Sequence, residues 1–317
     1  MPTGTESERQ RTKRRRQRAL FDGIAERYAV SRPGYPAHVV EFVTATAGLG
    51  PGAAVLEVGC GTGQLTERLA CPGFRLTAID IGASMIAAAR RRLTGAEVSF
   101  QVTSFEDLAA ADASFDLVIS GAAFHWIDPE VAFTKSARLL RLGGWLALLG
   151  TEEHYDDPLG AELDTLWVTH GDTGGAWERR PSDPEAIAAT GLFGTPACLT
   201  DTRQAILPAA DVTALETTRA AFLSWPRDTQ RHFTGELRRL LEPQPAVHLT
   251  RHTSVHLTRH TSVTMAQVLR DRSGGQRQRG QMKTPGPGAG LRGPAQPRGM
   301  PGAQQTLPTL YLTGPEP

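Results

Sequence analysis

The sequence predicts an α/β protein built on a doubly wound, mostly parallel sheet with helices on both faces. Three observations carry that expectation. Between residues 19 and 150, short apolar runs alternate with stretches of helical periodicity, the pattern of successive β–α units. The run Ala54-Val55-Leu56-Glu57-Val58 breaks into Gly59-Cys60-Gly61-Thr62-Gly63 and resumes with helix formers, which reads as strand, tight turn, helix. The most apolar run, Phe115 to Ser120, has the composition of a central strand covered on both sides.

Taken in order, Leu20, Phe21, Ile24, Ala25 and Tyr28 recur at helical spacing, so an amphipathic helix is expected from about residue 20 to 28. Arg32-Pro33-Gly34-Tyr35-Pro36 then forces an extended or turned segment, because the proline ring disfavours α geometry in the residue before it. His38 to Ala47 reads as a second helix, and Gly48 to Gly52 breaks it ahead of the first strand, 54–58. The glycine turn leads into a helix over 64–70. Phe74 to Ile79 is the second strand, closed by Asp80, and Ala83 to Leu93 is the helix after it, ended by Gly95 as a C-terminal cap. Ala96 to Val102 alternates as a third strand. The fourth strand, 115–120, is followed by Gly121 to Trp126, and then by Asp128-Pro129 as N-cap and first helical residue. That helix is expected to reach about Arg141, with Gly143-Gly144 ending it before a fifth strand over 145–149.

Glycine on alternate positions of a strand–helix turn permits φ > 0 and close approach of a ligand, and the helix beyond presents unpaired N–H groups. Glu57 selects among ligands. A dinucleotide would set its pyrophosphate against the turn, where a carboxylate two residues upstream repels it, whereas a cationic head is attracted. S-adenosylmethionine carries an ammonium and a sulfonium and no phosphate, so Glu57 favours it. Asp80, at the end of the next strand, stands where such folds bind ribose hydroxyls.

Glu57-x-Gly59-x-Gly61-x-Gly63 with Asp80 resembles the class I S-adenosylmethionine-dependent methyltransferases, a Rossmann-like family of seven strands with the last antiparallel. Phe21-Asp22-x-Ile24-Ala25-x-x-Tyr28, Arg32-Pro33-x-Tyr35-Pro36 and Phe124-His125-Trp126 resemble its small-molecule branch, which includes trans-aconitate methyltransferase-like (methyltransferase type 11) proteins. The resemblance covers about residues 19 to 150. It implies that the N-terminal segment folds over the cofactor, making Tyr28, Arg32 and Tyr35 candidates for closing the site; an aromatic staple to the domain is the alternative. It sets Ile81 against the adenine face, unless Ile81 is a plain core residue. Many relatives have an aspartate on the adenine amino group where Ser104 aligns, so that role passes to Ser104, to the Phe105 backbone or to Glu106. Glu106 also reads as a first-turn carboxylate favoured by the helix dipole.

Gly121 to Trp126 lie beyond the carboxyl end of the central strand, where open parallel sheets bind ligands. His125 is therefore the candidate catalytic residue, as general base or as orienter of the nucleophile, because an imidazole titrates near neutral pH. A pocket-wall role is the alternative. The expected reaction is methyl transfer to a small-molecule carboxylate or hydroxyl. A cofactor-binding but inactive regulator, and a nucleotide-linked oxidoreductase, are the competing readings, the second opposed by Glu57.

After Gly150 the character changes. Glu152-Glu153-His154-Tyr155-Asp156-Asp157 is expected to be a polar loop, since carboxylates flanking one histidine match no metal-ligand spacing. Residues 151–245 read as a helical insertion capping the substrate pocket, with helices near 158–170, 183–191, 210–225 and 228–242 and one strand near 197–207. Residues 247–254 and 255–262 are one octapeptide twice, Val-His-Leu-Thr-Arg-His-Thr-Ser. Its Val and Thr favour a strand, and an insertion of even length keeps every side chain on its original face. A duplicated final strand within 246–270 is expected, one copy extending it or looping out. His248, His252, His256 and His260 share an edge because the unit repeats, so no metal is assigned.

The 317 residues are 40% hydrophobic, enough for a real core. No apolar run approaches the roughly 20 residues of a membrane span, and the basic N-terminus lacks the apolar stretch of a signal peptide, so a cytoplasmic protein is expected. Cys60, Cys71 and Cys198 form no CxxC pair, which agrees with a reducing compartment and argues against structural zinc. Cys60 reads as a small residue of the turn. Arginines and a lysine crowd residues 9–18, and 273–317 carry one acid, Glu316, among Gly, Pro, Gln and Arg. Segments 1–18 and 271–317 are thus expected to be disordered, the first a solvated tail rather than a nucleic-acid arm. The expected partner is the methyl acceptor, with no nucleic acid and no membrane.

Overall fold

The computed structural model describes residues 19–70, 73–171, 184–243 and 246–259. The basic block at 9–18, Cys71, His260 with the end of the second octapeptide, and the 271–317 tail lie outside the described residues. Seven strands form one sheet: β1 (Ala54–Val58), β2 (Arg75–Asp80), β3 (Val98–Val102), β4 (Phe115–Gly121), β5 (Leu140–Tyr155), β6 (Ala197–Leu207) and β7 (Val247–Arg259). Their order is β3-β2-β1-β4-β5-β7-β6. The first five pair in parallel, and β7 runs antiparallel to both of its neighbours. The order reverses between β1 and β4, and a crevice opens there at the carboxyl ends of the strands.

The central strands are buried on both faces because their residues are apolar at consecutive positions. Leu56, Val58, Val118, Leu146 and Leu148 pack on one side with Phe105, Phe124 and Ile127. Val55, Leu117, Ile119, Ala147 and Leu149 pack on the other with Val39, Val40 and Val43 of α3 (Ala37–Thr46) and Leu65 and Leu69 at α4 (Thr66–Leu69). Ahead of α3, the helical residues 19–22 (α1) and α2 (Ala25–Ser31) form the N-terminal lid. The lid is fastened to α5 (Ala83–Arg92): Asp22 Oδ1 accepts the Ser84 N–H at 2.7 Å, capping that helix from outside, and Arg92 donates to the Ala29 carbonyl at 2.9 Å.

Several expectations are corrected. The helix after the glycine turn is a single turn, Thr66–Leu69, because the backbone needs residues 63–65 to leave the turn. The helix begun at Pro129, α6 (Pro129–Leu139), stops before Arg141, and Gly143-Gly144 lie inside β5 rather than ending a helix. Pairing with β4 skips there, from Phe115↔Leu140 to Leu117↔Trp145. A methyl on Gly144 would sit 3.0 Å from the Arg141 carbonyl, so the irregularity needs glycine. The segment 152–155, expected as loop, is strand: β7 pairs with β5 from Trp145 to Tyr155 and draws it into the ladder.

The octapeptides are continuous in β7, the first pairing β5 over 150–155 and the second over 145–149. The strand near 197–207 is the sheet's edge, hydrogen-bonded to β7, not a feature of a detached cap. α7 (Leu159–Thr169) and α8 (Pro184–Ala188) precede it. After it, one expected helix is two, α9 (Ala209–Glu216) and α10 (Ala220–Ser224), followed by α11 (Arg227–Leu241). Trp167, Phe222, Phe233, Leu237 and Val247 give this cap a core of its own, and Phe21 and Ile24 of the lid pack against it. Among the described residues no helix is long and apolar enough to cross a membrane, and no group of His, Cys, Asp and Glu could hold a metal.

Candidate active site

The three glycines of the turn all have positive φ, 72°, 54° and 90°, yet they answer to different neighbours. A methyl on Gly59 would lie 2.3 Å from Ala123 Cβ, and one on Gly63 2.8 Å from Leu93 Cδ1. Those two let the segment after β4 and helix α5 approach the turn. Gly61 has nothing within 4 Å of that position, so it keeps space free for a ligand. Its N–H donates to Asp80 Oδ2 at 2.9 Å, while Asp80 Oδ1 accepts the Gly82 N–H at 2.8 Å. The second carboxylate is thus held by backbone donors at the ends of two adjacent parallel strands.

Around this turn a cleft has a polar and an apolar half that share Tyr28, Gly59, Gly61, Gly121 and Ala122. The apolar half adds Ile79, Asp80, Ile81, Met85, Phe105 and Trp126. A largely apolar lining with one carboxylate suits a nucleoside. The polar half adds Glu57, Gln64, Arg32, Tyr35, Glu153 and Arg251. Arg251 donates to Glu153 Oε1 at 2.7 Å, and Arg32 Nη1 is 4.0 Å from Glu153 Oε2.

Glu57 is 1% exposed, and its Oε2 has no hydrogen-bond partner. Burial pushes its carboxyl up to about 8; the Thr66 hydroxyl beside it pulls the other way without meeting hydrogen-bond geometry, and Asp80 adds to the rise. An orphaned buried acceptor beside an open glycine is what a cationic group would satisfy. Burial likewise raises Asp80 above the usual carboxylate range, against its bonds to Gly82 and Gly61. Burial pushes the Tyr28 and Tyr35 hydroxyls up as well, so both stay neutral donors. The Tyr35 hydroxyl occupies the space a Cβ on Gly121 would need, 2.5 Å away.

The cleft brings together Tyr28, Arg32, Glu57, Gly59, Gly61, Asp80, Ile81, Phe105 and Gly121. Gly63 packs against α5 instead of lining it. Ser104 turns away: its hydroxyl donates to Asp107 Oδ2 at 2.7 Å and accepts the Asp107 N–H, a local turn that consumes the side chain. Glu106 is aimed at the next loop, accepting the Asp128 N–H at 3.1 Å. His125 lies in a 3₁₀ turn, Phe124–Trp126, with its ring 4.8 Å from that of Trp126, and it lines neither half. One turn places Trp126 inward and its neighbour outside.

Sequence reasoning placed Ala122 at the site within Gly121 to Trp126 but not its conformation, and it missed Glu153 and Arg251. Ala122 has φ 51°, a left-handed alanine at the mouth of the cleft, its N–H donating to the Leu149 carbonyl at 2.8 Å. Glu153 and Arg251 are direct cross-strand partners. Once residues 152–155 are strand, opposite charges facing each other are the signal that finds them.

Residues 56–148 match the family described as "Methyltransferase domain". The chain is 37% identical over 139 residues to the malonyl-[acyl-carrier protein] O-methyltransferase of Hahella chejuensis, covering 42% of this chain and 47% of that protein. It is 39% identical over 139 residues to the ubiquinone biosynthesis O-methyltransferase of Xanthomonas axonopodis pv. citri, covering 40% and 57%. The chain thus spans about half the length of the curated relatives it matches. A solved structure from Anaeromyxobacter dehalogenans, provisionally assigned as a type II methyltransferase, shares the fold at 22% identity and a TM-score of 0.51, over 72% of this chain and 97% of that one. With the seven-stranded order and the glycine turn between two carboxylates, these matches show that residues 56–148 are similar to methyltransferase domains and that the chain shares their fold.

Proposed function

We propose that the protein is an S-adenosylmethionine-dependent methyltransferase acting on a small molecule. The observation that carries this reading is the partnerless Glu57 Oε2, buried where the open face of Gly61 admits a ligand. S-adenosylmethionine supplies a methyl group already activated on a sulfonium. The chain's residues bind and orient. Asp80 is assigned to the ribose hydroxyls, Ile81 and Phe105 to the adenine faces, Glu57 to the ammonium and Arg32 to the carboxylate. Tyr28, where the two halves meet, and Tyr35, in the polar half, are kept neutral, donate hydrogen bonds and exclude water. Such positioning is worth up to roughly 7–11 kcal/mol in well-aligned cases.

Both named relatives are O-methyltransferases, which supports an oxygen acceptor, a carboxylate or hydroxyl, entering from the Thr151, Glu153 and Arg251 side. No proton transfer is assigned to His125, because its ring is outside the cleft. Calorimetric titration tests the reading. S-adenosylmethionine and S-adenosylhomocysteine should bind and NAD should not. Asp80→Ala should weaken both by roughly ten- to a hundredfold, the value of a hydrogen bond to a charged group. Binding of NAD, or unchanged affinity in folded Asp80→Ala, overturns it.

A further inference from the structure

The cap's role reaches the cofactor half of the cleft. Arg32 leaves the end of the lid helix with its guanidinium 5.6 Å from the centroid of the Tyr28 ring, and its Nε donates to Thr218 Oγ1 at 3.0 Å. Thr218 belongs to the break between α9 and α10 and is fully buried. Its own hydroxyl proton goes to the Leu215 carbonyl at 2.7 Å, so the oxygen presents a fixed lone pair to Arg32. With Nε spent on the cap, the Nη edge of the guanidinium, whose Nη1 stands 4.0 Å from Glu153 Oε2, is the part that faces the polar half of the cleft.

The break itself is anchored from behind. Glu216, 0% exposed, accepts the Tyr155 hydroxyl at 2.6 Å and the Trp167 indole N–H at 2.9 Å, and pairs with Arg219 at 2.9 Å. The Thr217 carbonyl accepts Arg27 of the lid at 3.1 Å. Three successive residues, 216 to 218, therefore join β5 and α7 to both lid arginines.

We propose that Thr218 is a positioning residue: a cap hydroxyl that fixes Arg32 in the orientation that receives the carboxylate of the cofactor's amino-acid end. This rests on the cofactor reading given above. It makes the cap, which ordinary expectation assigns to the acceptor, a determinant of cofactor affinity. A long side chain held in advance loses less freedom on binding.

The test is calorimetric and needs no acceptor. S-adenosylhomocysteine carries the amino-acid end; 5′-methylthioadenosine lacks it. Thr218→Val keeps the shape and removes the acceptor oxygen, and should weaken S-adenosylhomocysteine by about tenfold while leaving methylthioadenosine within about twofold. Thr218→Ser should restore the affinity. In an Arg32→Gln background, Thr218→Val should have no further effect, since the two residues act as one unit. If Thr218→Val does not fold, Thr218→Ala is read in the same way. Equal weakening of both ligands, or of neither, overturns the proposal. Failure of the unmodified protein to bind S-adenosylhomocysteine instead removes the cofactor reading beneath it.

Discussion

A methyl group added at Gly61 and one added at Gly63 should have opposite consequences. Gly61→Ala meets no neighbour, so its cost to stability is the left-handed backbone alone, roughly 1–2 kcal/mol, while cofactor binding is lost as the methyl enters the cleft. Gly63→Ala adds to the same left-handed strain a contact with the Leu93 tip and with Ala89 Cα of α5 at 3.3 Å, and should cost more than about 2 kcal/mol without touching a ligand. Denaturant titration beside calorimetry separates them, and equal behaviour would show that the turn is read wrongly. Glu57 carries a pH signature. Its folded carboxyl is raised to about 8, so the free protein loses stability as pH climbs from the ordinary carboxylate range through that value. A cationic ligand needs the ionised form. Affinity for S-adenosylhomocysteine should therefore rise with pH between about pH 6 and 7.5, below the range where the ligand's own amine titrates, by up to tenfold per unit. Glu57→Gln should flatten that slope. For His125 the expectation is negative: His125→Ala should keep turnover within about threefold, where a general base would lose about 10²–10⁴. That Gly59, Gly61, Glu57 and Asp80 meet at one cleft was legible, because backbone conformation and charge at a strand end are local demands; that Gly63 answers to α5 instead was not. Ser104 and His125 were not, because a one-residue rotation of a turn decides which side chain faces the cleft.

At the scale of elements, the centres of the strands were written in their apolar residues and their lengths were not. β5 continues through Glu152-Glu153-His154-Tyr155, which have little strand character of their own, because β7 offers them a complete row of backbone partners. The α9–α10 boundary was hidden in the same way. Thr217 and Thr218 turn their hydroxyls back on the carbonyls of Thr213 and Leu215, ending a helix that composition alone would continue. Glu216 shows what this break is worth. Glu216→Gln keeps the volume but offers one acceptor oxygen where the Tyr155 hydroxyl and the Trp167 indole each have one now. One buried donor is left facing an amide N–H, and Arg219 loses its charged partner. Urea unfolding should register a loss of about 1–3 kcal/mol. A loss below the error of the method would mean that water replaces the missing partner.

Across the whole molecule, cleft, lid and cap all meet where the strand order reverses, and the duplicated octapeptide supplies the last length of sheet between them. Removing residues 247–254 or residues 255–262 yields one and the same chain, so a single variant sets the two halves of β5 in competition for the surviving copy. Val247 and Leu249 are buried, Val247 within the cap's core. That anchorage should keep the copy opposite Gly150 to Tyr155, with the Glu153–Arg251 pair intact and cofactor affinity unchanged. The sequence that follows, Val263-Thr264-Met265-Ala266-Gln267, repeats the spacing of Val255 and Leu257 with Val263 and Met265. In the shortened chain these residues follow the surviving copy, and the test asks whether they fill the place beside Trp145 to Leu149. Hydrogen exchange at 146–149 reads the outcome: slow amides there with intact cofactor binding mean that the substitute strand is accepted, and slow amides with lost binding mean that the copy has slid eight residues into the core. If the substitute strand is accepted, the chain can gain or lose a repeat in the β5–β7 ladder and still close its sheet, which would leave the strand that carries Arg251 open to change in length.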